Sequence, residues 1–229
     1  MTAPVLTPSD ALGEARPAVF WTDRPGAPEE CAPLAGPDRC TLLVVGGGLT
    51  GLWAAIEARR RDPDADIVVV EAQTVAFGAS GRNGGFLSES LTHGLAHGSH
   101  LWPGELPLLQ RLGKENVREI AAFLDAEGID ASLRLCGKTV VATRDHQLED
   151  LAASADLHRE HGEDAVLLDG DAVRADVHSP TYLAGLRVRS GGGLVDPAAL
   201  TWGLKAAALR RGVRIFERTP VTGMAREGG

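Results

Sequence analysis

The chain contains 229 residues, of which 44% are hydrophobic, and this is enough to bury a substantial core in one or two domains of ordinary size. Its formal net charge of -8 disfavours nucleic acid as a partner, because binding to a phosphate backbone relies on clustered Lys and Arg. No apolar run approaches the roughly 20 residues that span a membrane, and the N-terminus lacks the basic start of a secretory signal, so we expect no membrane partner and a cytoplasmic location.

The first forty residues predict an extended arm. They contain about half of the thirteen prolines and show weak periodicity, which is typical of a segment laid over a surface and not of a separate domain. We expect the arm to pack through Phe20 and Trp21.

A βαβ unit is predicted after the arm. The run TLLVV, residues 41–45, does not alternate, and this favours a strand covered on both faces. A helix is expected from about Thr50 to Arg61 and should end before Pro63. The run IVVVE, residues 67–71, predicts a second buried strand, so the segment has the length and order of one right-handed βαβ unit. The expected buried face of the helix comprises Leu52, Ala55 and Ile56.

A mixed set of helices and strands is predicted for the rest of the chain. Residues 72–100 are rich in Gly and Ser and predict a functional loop or a short irregular helix. A long helix should run from near Pro103 to Ala126, with Gly128 as its C-terminal stop. Its apolar face comprises Leu109, Leu112, Val117, Ile120 and Leu124. The later elements are two short strands in residues 133–143 that turn near Gly137, a charged helix over 145–161, a strand over 182–188, a helix from Pro197 to Arg211 that Asp196 caps, and a strand in residues 212–217.

A glycine motif between the first strand and the first helix carries the chemistry. Gly46, Gly48 and Gly51 form GxGxxG, in which the first permits a tight turn, the second lets main chain approach a pyrophosphate and the third lets helix and strand pack closely. The helix N-terminus offers free N–H groups to the same anion. Glu71 ends the second strand, where its carboxylate can accept hydrogen bonds from ribose hydroxyls. The combination predicts a dinucleotide site.

The motif alone does not separate FAD from NAD. The run FGASGRNGGF, residues 77–86, supplies small positions that expose main chain beside one cation, Arg82, and it could line a second length of an extended ligand. A flexible surface loop is the alternative that composition leaves open.

Three runs, GGGLTGL, VVVEA and FGASGRNGGF, in that order and spacing resemble the D-amino-acid-oxidase-like family of FAD-dependent oxidoreductases, most of all its gamma-glutamylputrescine oxidoreductase-like branch. Further matches are FWTDRPG in the arm and GGGLVDPAAL followed by GVRIFERTPV, which in that family mark the return from the substrate region to the FAD domain. The likeness covers nearly the whole chain. Its motifs are specific to the superfamily but not to a substrate.

The resemblance implies FAD as the cofactor and an α/β fold, a Rossmann-like FAD-binding domain with a partial mixed α+β substrate region. It assigns residues 41–100 and 190–229 to an incomplete FAD-binding domain and 101–189 to part of the substrate region. It also implies that the sequence covers only the N-terminal half of such an enzyme, as a fragment or a truncated gene model. The implied cofactor-binding residues are Gly46, Gly48, Thr50, Gly51, Glu71, Ala72, Ser80, Arg82, Asn83, Gly84, Gly85 and Val221.

Neither the histidines nor the cysteines of the sequence predict a metal or redox site. His93, His97 and His100 lie close in sequence, but Gly94 and Gly98 loosen the frame that a metal site needs, so we predict no metal. The three cysteines match neither a zinc knuckle nor a CxxC pair and are expected to be reduced thiols.

Two hypotheses for the function follow. By resemblance, the protein is an FAD-dependent oxidoreductase that oxidises a small-molecule amine or amino acid by hydride transfer to the flavin. The residues present identify no catalytic acid or base, and they leave the oligomeric state open. The alternative is a non-catalytic or NAD-linked dinucleotide-binding module.

Overall fold

The computed structural model of the chain describes residues 13, 15, 16, 18–190 and 192–226. It divides into two compact units, of which the first takes the chain up to Arg82 and from Leu204 onward, and the second takes Asn83 to Gly203. Parts of the predicted arm (residues 1–12, 14 and 17) and of the predicted FAD-binding region (191 and 227–229) lie outside the described residues. In the described part, no helix is both long enough and apolar enough to cross a membrane.

The first unit is built on a three-stranded parallel sheet. Its elements are β1 (Leu42–Val45), α1 (Leu49–Arg61), β2 (Ile67–Val70), a 3-10 turn (Ala79–Gly81) and β8 (Arg214–Phe216). The strand order is β1-β2-β8, with Val45 opposite Val70 and Val70 opposite Phe216. All three strands therefore present their carboxyl ends at one edge of the sheet, the edge where open α/β sheets bind their ligands. This arrangement confirms the predicted βαβ unit.

The core of the first unit forms around β2. All four β2 residues are buried, and Leu52, Ala55 and Ile56 of α1 are buried as predicted. The expectation that β1 is covered on both faces was wrong: Leu42, Leu43 and Val45 are 39%, 49% and 56% exposed. The reason is its place in the sheet, because β1 is an edge strand whose only partner among the described strands is β2.

Polar contacts tie the arm down, and Phe20 does not take part in its packing, whereas Trp21 is half-buried. Phe20 is 81% exposed, which contradicts its predicted packing role, although its ring meets that of Trp21 edge to face. Farther along, Glu30 pairs with Arg218, and the Leu34 N–H donates to Thr219 Oγ1 at 3.0 Å. These contacts fix the end of the arm to the segment after β8.

The second unit holds two antiparallel sheets. Its elements are β3 (Phe86–Ser88), α2 (Leu95–Leu101), α3 (Leu106–Glu127), β4 (Lys138–Ala142), α4 (Gln147–Glu160), β5 (Ala165–Leu168), α5 (Gly170–Asp176), β6 (Ala184–Val188), β7 (Gly192–Leu194) and the first half of α6 (Pro197–Arg210), whose second half belongs to the first unit. The sheet orders are β3-β7 and β4-β6-β5. A small core forms where α4 covers the larger sheet; its buried members are Ala142, Leu151, Ala155, Leu186 and Val188.

The predicted helices of this unit are confirmed, with changes in detail. Gly128 ends α3 in the left-handed conformation, and the Asp196 carboxylate caps α6 by accepting from the Ala199 N–H at 2.9 Å. On α3, however, Leu112 is exposed and Gly113 is buried instead. A Cβ at Gly113 would lie 1.7 Å from the Glu89 carbonyl oxygen, so main chain packs directly on that turn of the helix.

The predicted strand pair around Gly137 was wrong. The residues before Gly137 contribute only one isolated bridge, Arg134 to Leu194, and β4 pairs with β6 instead. Gly137 has a φ of +68°, and a Cβ there would lie 2.3 Å from the Val188 carbonyl oxygen. Gly137 therefore permits a close approach to the end of β6 and does not close a hairpin.

Candidate functional site

The glycine turn between β1 and α1 is shaped by contacts that exclude side chains. Gly46 has a φ of +103°, a conformation that L residues rarely adopt, and its N–H donates to the Val70 carbonyl oxygen at 2.8 Å. A Cβ at Gly51 would lie 2.0 Å from the Gly46 carbonyl oxygen. Helix and strand thus approach here to a distance that only glycine allows, as the motif predicts.

The two middle glycines are crowded from the sides. A Cβ at Gly47 would lie 2.9 Å from Val75 Cγ2, and a Cβ at Gly48 would lie 2.7 Å from Ser80 Oγ. A Cβ at Gly46 would meet nothing within 4 Å. The main chain at Gly47 and Gly48 is therefore packed closely against its neighbours, while the main chain at Gly46 faces open space.

The N-terminus of α1 is suited to an anion. Gly48 is its N-cap residue and has no side chain with which to cap the helix, and the first turn carries no acidic residue that would compete with an anion. The Leu49 N–H donates to Ser80 Oγ at 3.0 Å. Thr50 is exposed in the first turn. The free N–H groups of a helix start and its partial positive charge favour phosphate binding.

Glu71 follows β2 and directs its carboxylate toward the glycine turn. Oε2 accepts from the Gly47 N–H at 2.8 Å, and Oε1 accepts from the Gln73 N–H at 2.9 Å. The next residue, Ala72, is exposed. An acceptor group beside a turn of bare main chain is the arrangement that a ribose diphosphate requires.

The run 77–86 contributes to both units. Ser80 lies at the N-terminus of α1, as described above, whereas Arg82 folds back onto its own loop, with its guanidinium 4.4 Å from the Phe77 ring centroid and its Nε donating to the Phe77 carbonyl oxygen. In the second unit, Asn83 Oδ1 accepts from the Gly85 N–H at 2.9 Å, and Gly85 has a φ of +74°. Gly84 is exposed.

Val221 lies near the end of the described chain and is 41% exposed. Two residues before it, the Thr219 N–H donates to the Glu71 carbonyl oxygen at 2.8 Å. The segment after β8 therefore passes directly beside Glu71. The structure brings Gly46, Gly48, Gly51, Glu71 and Ser80 together around one turn, and it leads the chain past that turn toward Val221.

A buried ion pair behind the turn was not predicted from the sequence. Lys205 Nζ lies 2.6 Å from Glu217 Oε2, and the two side chains are only 4% and 1% exposed. Glu217 also accepts hydrogen bonds from the N–H groups of Val75 and Cys31. Burial raises the pKa of Glu217, but Lys205 and the two N–H groups outweigh burial, and they hold this pKa below its ordinary value.

This ion pair gives a prediction for acid stability. Because the folded state lowers the pKa of Glu217, its stabilising contribution is complete above the ordinary carboxyl pKa of about 4.3 and is lost as the pH falls through the folded value. We expect wild type to lose more free energy of unfolding between pH 6 and pH 3 than Glu217→Gln, as measured by urea denaturation. Equal losses in the two proteins would contradict the assigned shift.

Of the three histidines after the loop, His93 and His97 do not share a helix face. His93 has a φ of +57° and precedes Gly94, the N-cap residue of α2, while His97 lies within that helix. Their ring centroids are 6.2 Å apart. Across the residues that the structure describes, no cluster of three or more His, Cys, Asp or Glu is arranged to hold a metal ion.

The residues around the turn fit the ADP portion of a dinucleotide. The space at Gly46, the helix N-terminus and the carboxylate of Glu71 all lie at the carboxyl edge of the sheet. Their geometry by itself would suit NAD as well as FAD.

Comparison with known proteins separates these two cofactors. Residues 41–229 match the model of the DAO family, described as FAD dependent oxidoreductase. The chain is 31% identical over 196 residues to gamma-glutamylputrescine oxidoreductase of Escherichia coli (strain K12), covering 80% of this chain and 42% of that protein. It is 28% identical over 184 residues to L-2-hydroxyglutarate dehydrogenase of the same strain, covering 80% and 40%.

Solved structures show the same fold. Glycine oxidase from Bacillus cereus ATCC 14579 aligns with a TM-score of 0.65 at 22% identity, over 82% of this chain and 49% of that one. The chain thus spans less than half the length of these relatives.

Proposed function

Because the chain belongs to the DAO family of FAD-dependent oxidoreductases, we propose that its glycine turn holds the ADP portion of FAD and that the full-length protein oxidises an amine or an amino acid. The observation that carries the placement is the Glu71 carboxylate, which accepts from the Gly47 N–H at 2.8 Å and so lies where a ribose would meet the turn. The name of the relative at 31% identity supports an amine as the substrate class.

Each cofactor residue is assigned a role in this proposal. Gly46, Gly48 and Gly51 let the pyrophosphate approach main chain, and the first turn of α1, with Thr50, supplies N–H groups to it. Glu71, with Ala72 beside it, binds the adenosine ribose. Ser80, Arg82, Asn83, Gly84 and Gly85 are proposed to face the pyrophosphate, the ribityl chain or the flavin, and Val221 to meet the adenine through its main chain.

FAD, when bound, supplies a flavin ring that accepts a hydride from the carbon next to the substrate nitrogen, and water then hydrolyses the resulting imine. The chain's own residues bind the cofactor and orient it. The glycine turn fixes the diphosphate against rigid main chain, and Glu71 accepts hydrogen bonds from the ribose hydroxyls and disfavours a phosphate on the 2′ position. None of the described residues is proposed as a catalytic acid or base.

The cofactor is tested on the 229-residue chain itself. We expect purified protein to be yellow, to release FAD on heating and to be stabilised against thermal unfolding by added FAD. Colourless protein that NAD stabilises and FAD does not would instead support the NAD-linked or non-catalytic module. A thermal unfolding experiment with each nucleotide therefore decides between an FAD-binding protein and the alternative module.

The substrate class is tested on the full-length gene product. Under anaerobic conditions, a primary or secondary amine or an amino acid should bleach the absorbance of the oxidised flavin. L-2-Hydroxyglutarate is the matched competitor, because a relative at 28% identity is named for it. Bleaching by the hydroxy acid and by no amine would overturn the amine assignment while leaving the cofactor assignment intact.

Glu71→Ala should weaken FAD binding without abolishing it. The change removes hydrogen bonds to one ribose. One hydrogen bond to a charged group is worth about 1.5 to 3 kcal/mol, so a loss of affinity between about tenfold and about 150-fold is expected. Titration of flavin fluorescence measures it. Glu71→Gln keeps one acceptor oxygen and serves as the control with a smaller loss; affinity within twofold of wild type in the alanine variant would contradict the ribose role.

A further inference from the structure

The Lys205 and Glu217 pair lies at the functional edge of the first unit. Glu217 directly follows β8, so it stands at the same carboxyl edge of the sheet as Gly46 after β1 and Glu71 after β2. Lys205 reaches it from α6 and donates a second hydrogen bond to the Glu29 carbonyl oxygen at 2.8 Å. The pair therefore joins α6, the arm and the end of β8 at one buried point.

Glu217 connects this point to the glycine turn through one intermediate residue. Its Oε1 accepts from the Val75 N–H, which fixes the main chain of the segment after Glu71. Val75 is itself buried, and its Cγ2 lies so close to Gly47 that a Cβ on that glycine would be 2.9 Å away. A displacement of Val75 would thus be transmitted to the turn that we propose binds the diphosphate.

A second contact links the same segment to Glu71. The Thr219 N–H donates to the Glu71 carbonyl oxygen at 2.8 Å, and Thr219 Oγ1 donates to the Glu217 carbonyl oxygen at 2.9 Å. The main chain after Glu217 is therefore coupled to Glu71, while the Glu217 side chain is coupled to the turn through Val75.

The opposite end of the sheet carries an ion pair that serves as an internal comparison. Arg214, the first residue of β8, lies 2.7 Å from Asp66 Oδ2, just before β2, and also pairs with Asp38. This cluster ties the same strands and the arm together, but at the amino edge, away from Gly47 and Val75.

We propose that Lys205 and Glu217 are positioning residues for the cofactor: without touching the nucleotide, they set the affinity of the diphosphate turn by holding Val75 against Gly47. This inference rests on the proposed function, since it assumes that the turn binds FAD. It predicts that damage to this pair lowers nucleotide affinity, whereas damage to the Asp66 and Arg214 pair lowers stability alone.

The experiment compares Glu217→Gln, Lys205→Met and the control Asp66→Asn in the 229-residue chain. Thermal unfolding without nucleotide measures stability, and fluorescence or calorimetric titrations with FAD and with ADP measure affinity. We expect both variants of the buried pair to bind FAD and ADP about tenfold more weakly, a factor that corresponds to roughly 1.4 kcal/mol. Asp66→Asn should bind both nucleotides within twofold of wild type.

Each outcome is decisive. If wild type binds neither FAD nor ADP, the proposed function fails and the positioning role fails with it. If wild type binds and all three variants lose affinity in proportion to their loss of melting temperature, the pair is only structural and the inference is overturned. A loss confined to FAD, with ADP binding unchanged, also overturns it, because the effect would not pass through the diphosphate turn.

Val75→Ala tests the same path if a variant of the buried pair does not fold. The variant keeps the main-chain N–H that donates to Glu217 Oε1, and it removes only the methyl groups beside Gly47. We expect weaker binding of ADP by about threefold, which corresponds to roughly 0.7 kcal/mol. Unchanged ADP affinity in Val75→Ala would contradict the proposed contact.

Discussion

Gly51→Ala should abolish retention of FAD by the chain. The added Cβ would lie 2.0 Å from the Gly46 carbonyl oxygen, which is main chain, so β1 and α1 must move apart and the turn between them must change shape. Gly51→Arg should act in the same way with a larger disturbance. We expect FAD affinity to fall at least about a hundredfold, or roughly 2.7 kcal/mol, as measured by equilibrium titration and by the flavin that copurifies with the protein.

Gly36→Ala is the matched control for this prediction. Gly36 belongs to the same unit, its φ is ordinary, and a Cβ there would meet nothing within 4 Å. Far-ultraviolet circular dichroism of both variants distinguishes loss of the site from loss of the fold. Retention of FAD at the wild-type level by Gly51→Ala would contradict the placement of the pyrophosphate at this turn.

Lys205→Met should cause the largest loss of stability among changes of one charged residue described above. It leaves the carboxylate of Glu217 buried without its cation, although the N–H groups of Val75 and Cys31 still donate hydrogen bonds to its oxygens. Removal of one partner of a buried pair costs about 3 to 5 kcal/mol in measured cases, and the remaining N–H groups place the expected loss near the lower value. Urea denaturation at pH 7 measures it.

An exposed ion pair supplies the control. Arg60 and Glu57 of α1 lie 2.8 Å apart, but both side chains are largely exposed, so Arg60→Met should cost about 0.5 kcal/mol or less. If Lys205→Met is no more destabilising than Arg60→Met, the buried pair does not hold the unit together as its burial indicates.

The glycine turn could be predicted because its causes are local. The motif, the apolar run before it and the helical face after it all lie within 31 consecutive residues, Thr41 to Glu71, and each constrains main chain directly. Gly46 with a φ of +103° and Gly51 against the Gly46 carbonyl oxygen are the positions that the motif predicts. The sequence motif thus contains the geometry of the turn.

The pairing of strands could not be predicted in the same way. Lys138 faces Val188 across the β4 and β6 pair, fifty residues along the chain, and a short apolar run carries no information about so distant a partner. The exposure of β1 has a similar cause, because a run such as TLLVV reads the same in an edge strand and in a central one. Both errors concern which strand lies beside which.

The burial of the Glu217 carboxylate could not be predicted from the sequence, for a further reason. A Glu after a short strand ordinarily faces solvent, and Lys205 lies in a helix whose neighbouring residues give no sign of a partner. The ion pair exists only because α6, the arm and the segment after Glu71 converge there.

The open side of β1 has a practical consequence for work with this chain. Apolar side chains on an edge strand, beside main-chain groups that no described strand pairs, form a template onto which another extended segment can add. Concentrated samples will therefore be prone to self-association and precipitation, and light scattering will report it before any spectroscopic change at the flavin. Dilute preparation is the condition under which the nucleotide titrations are best carried out.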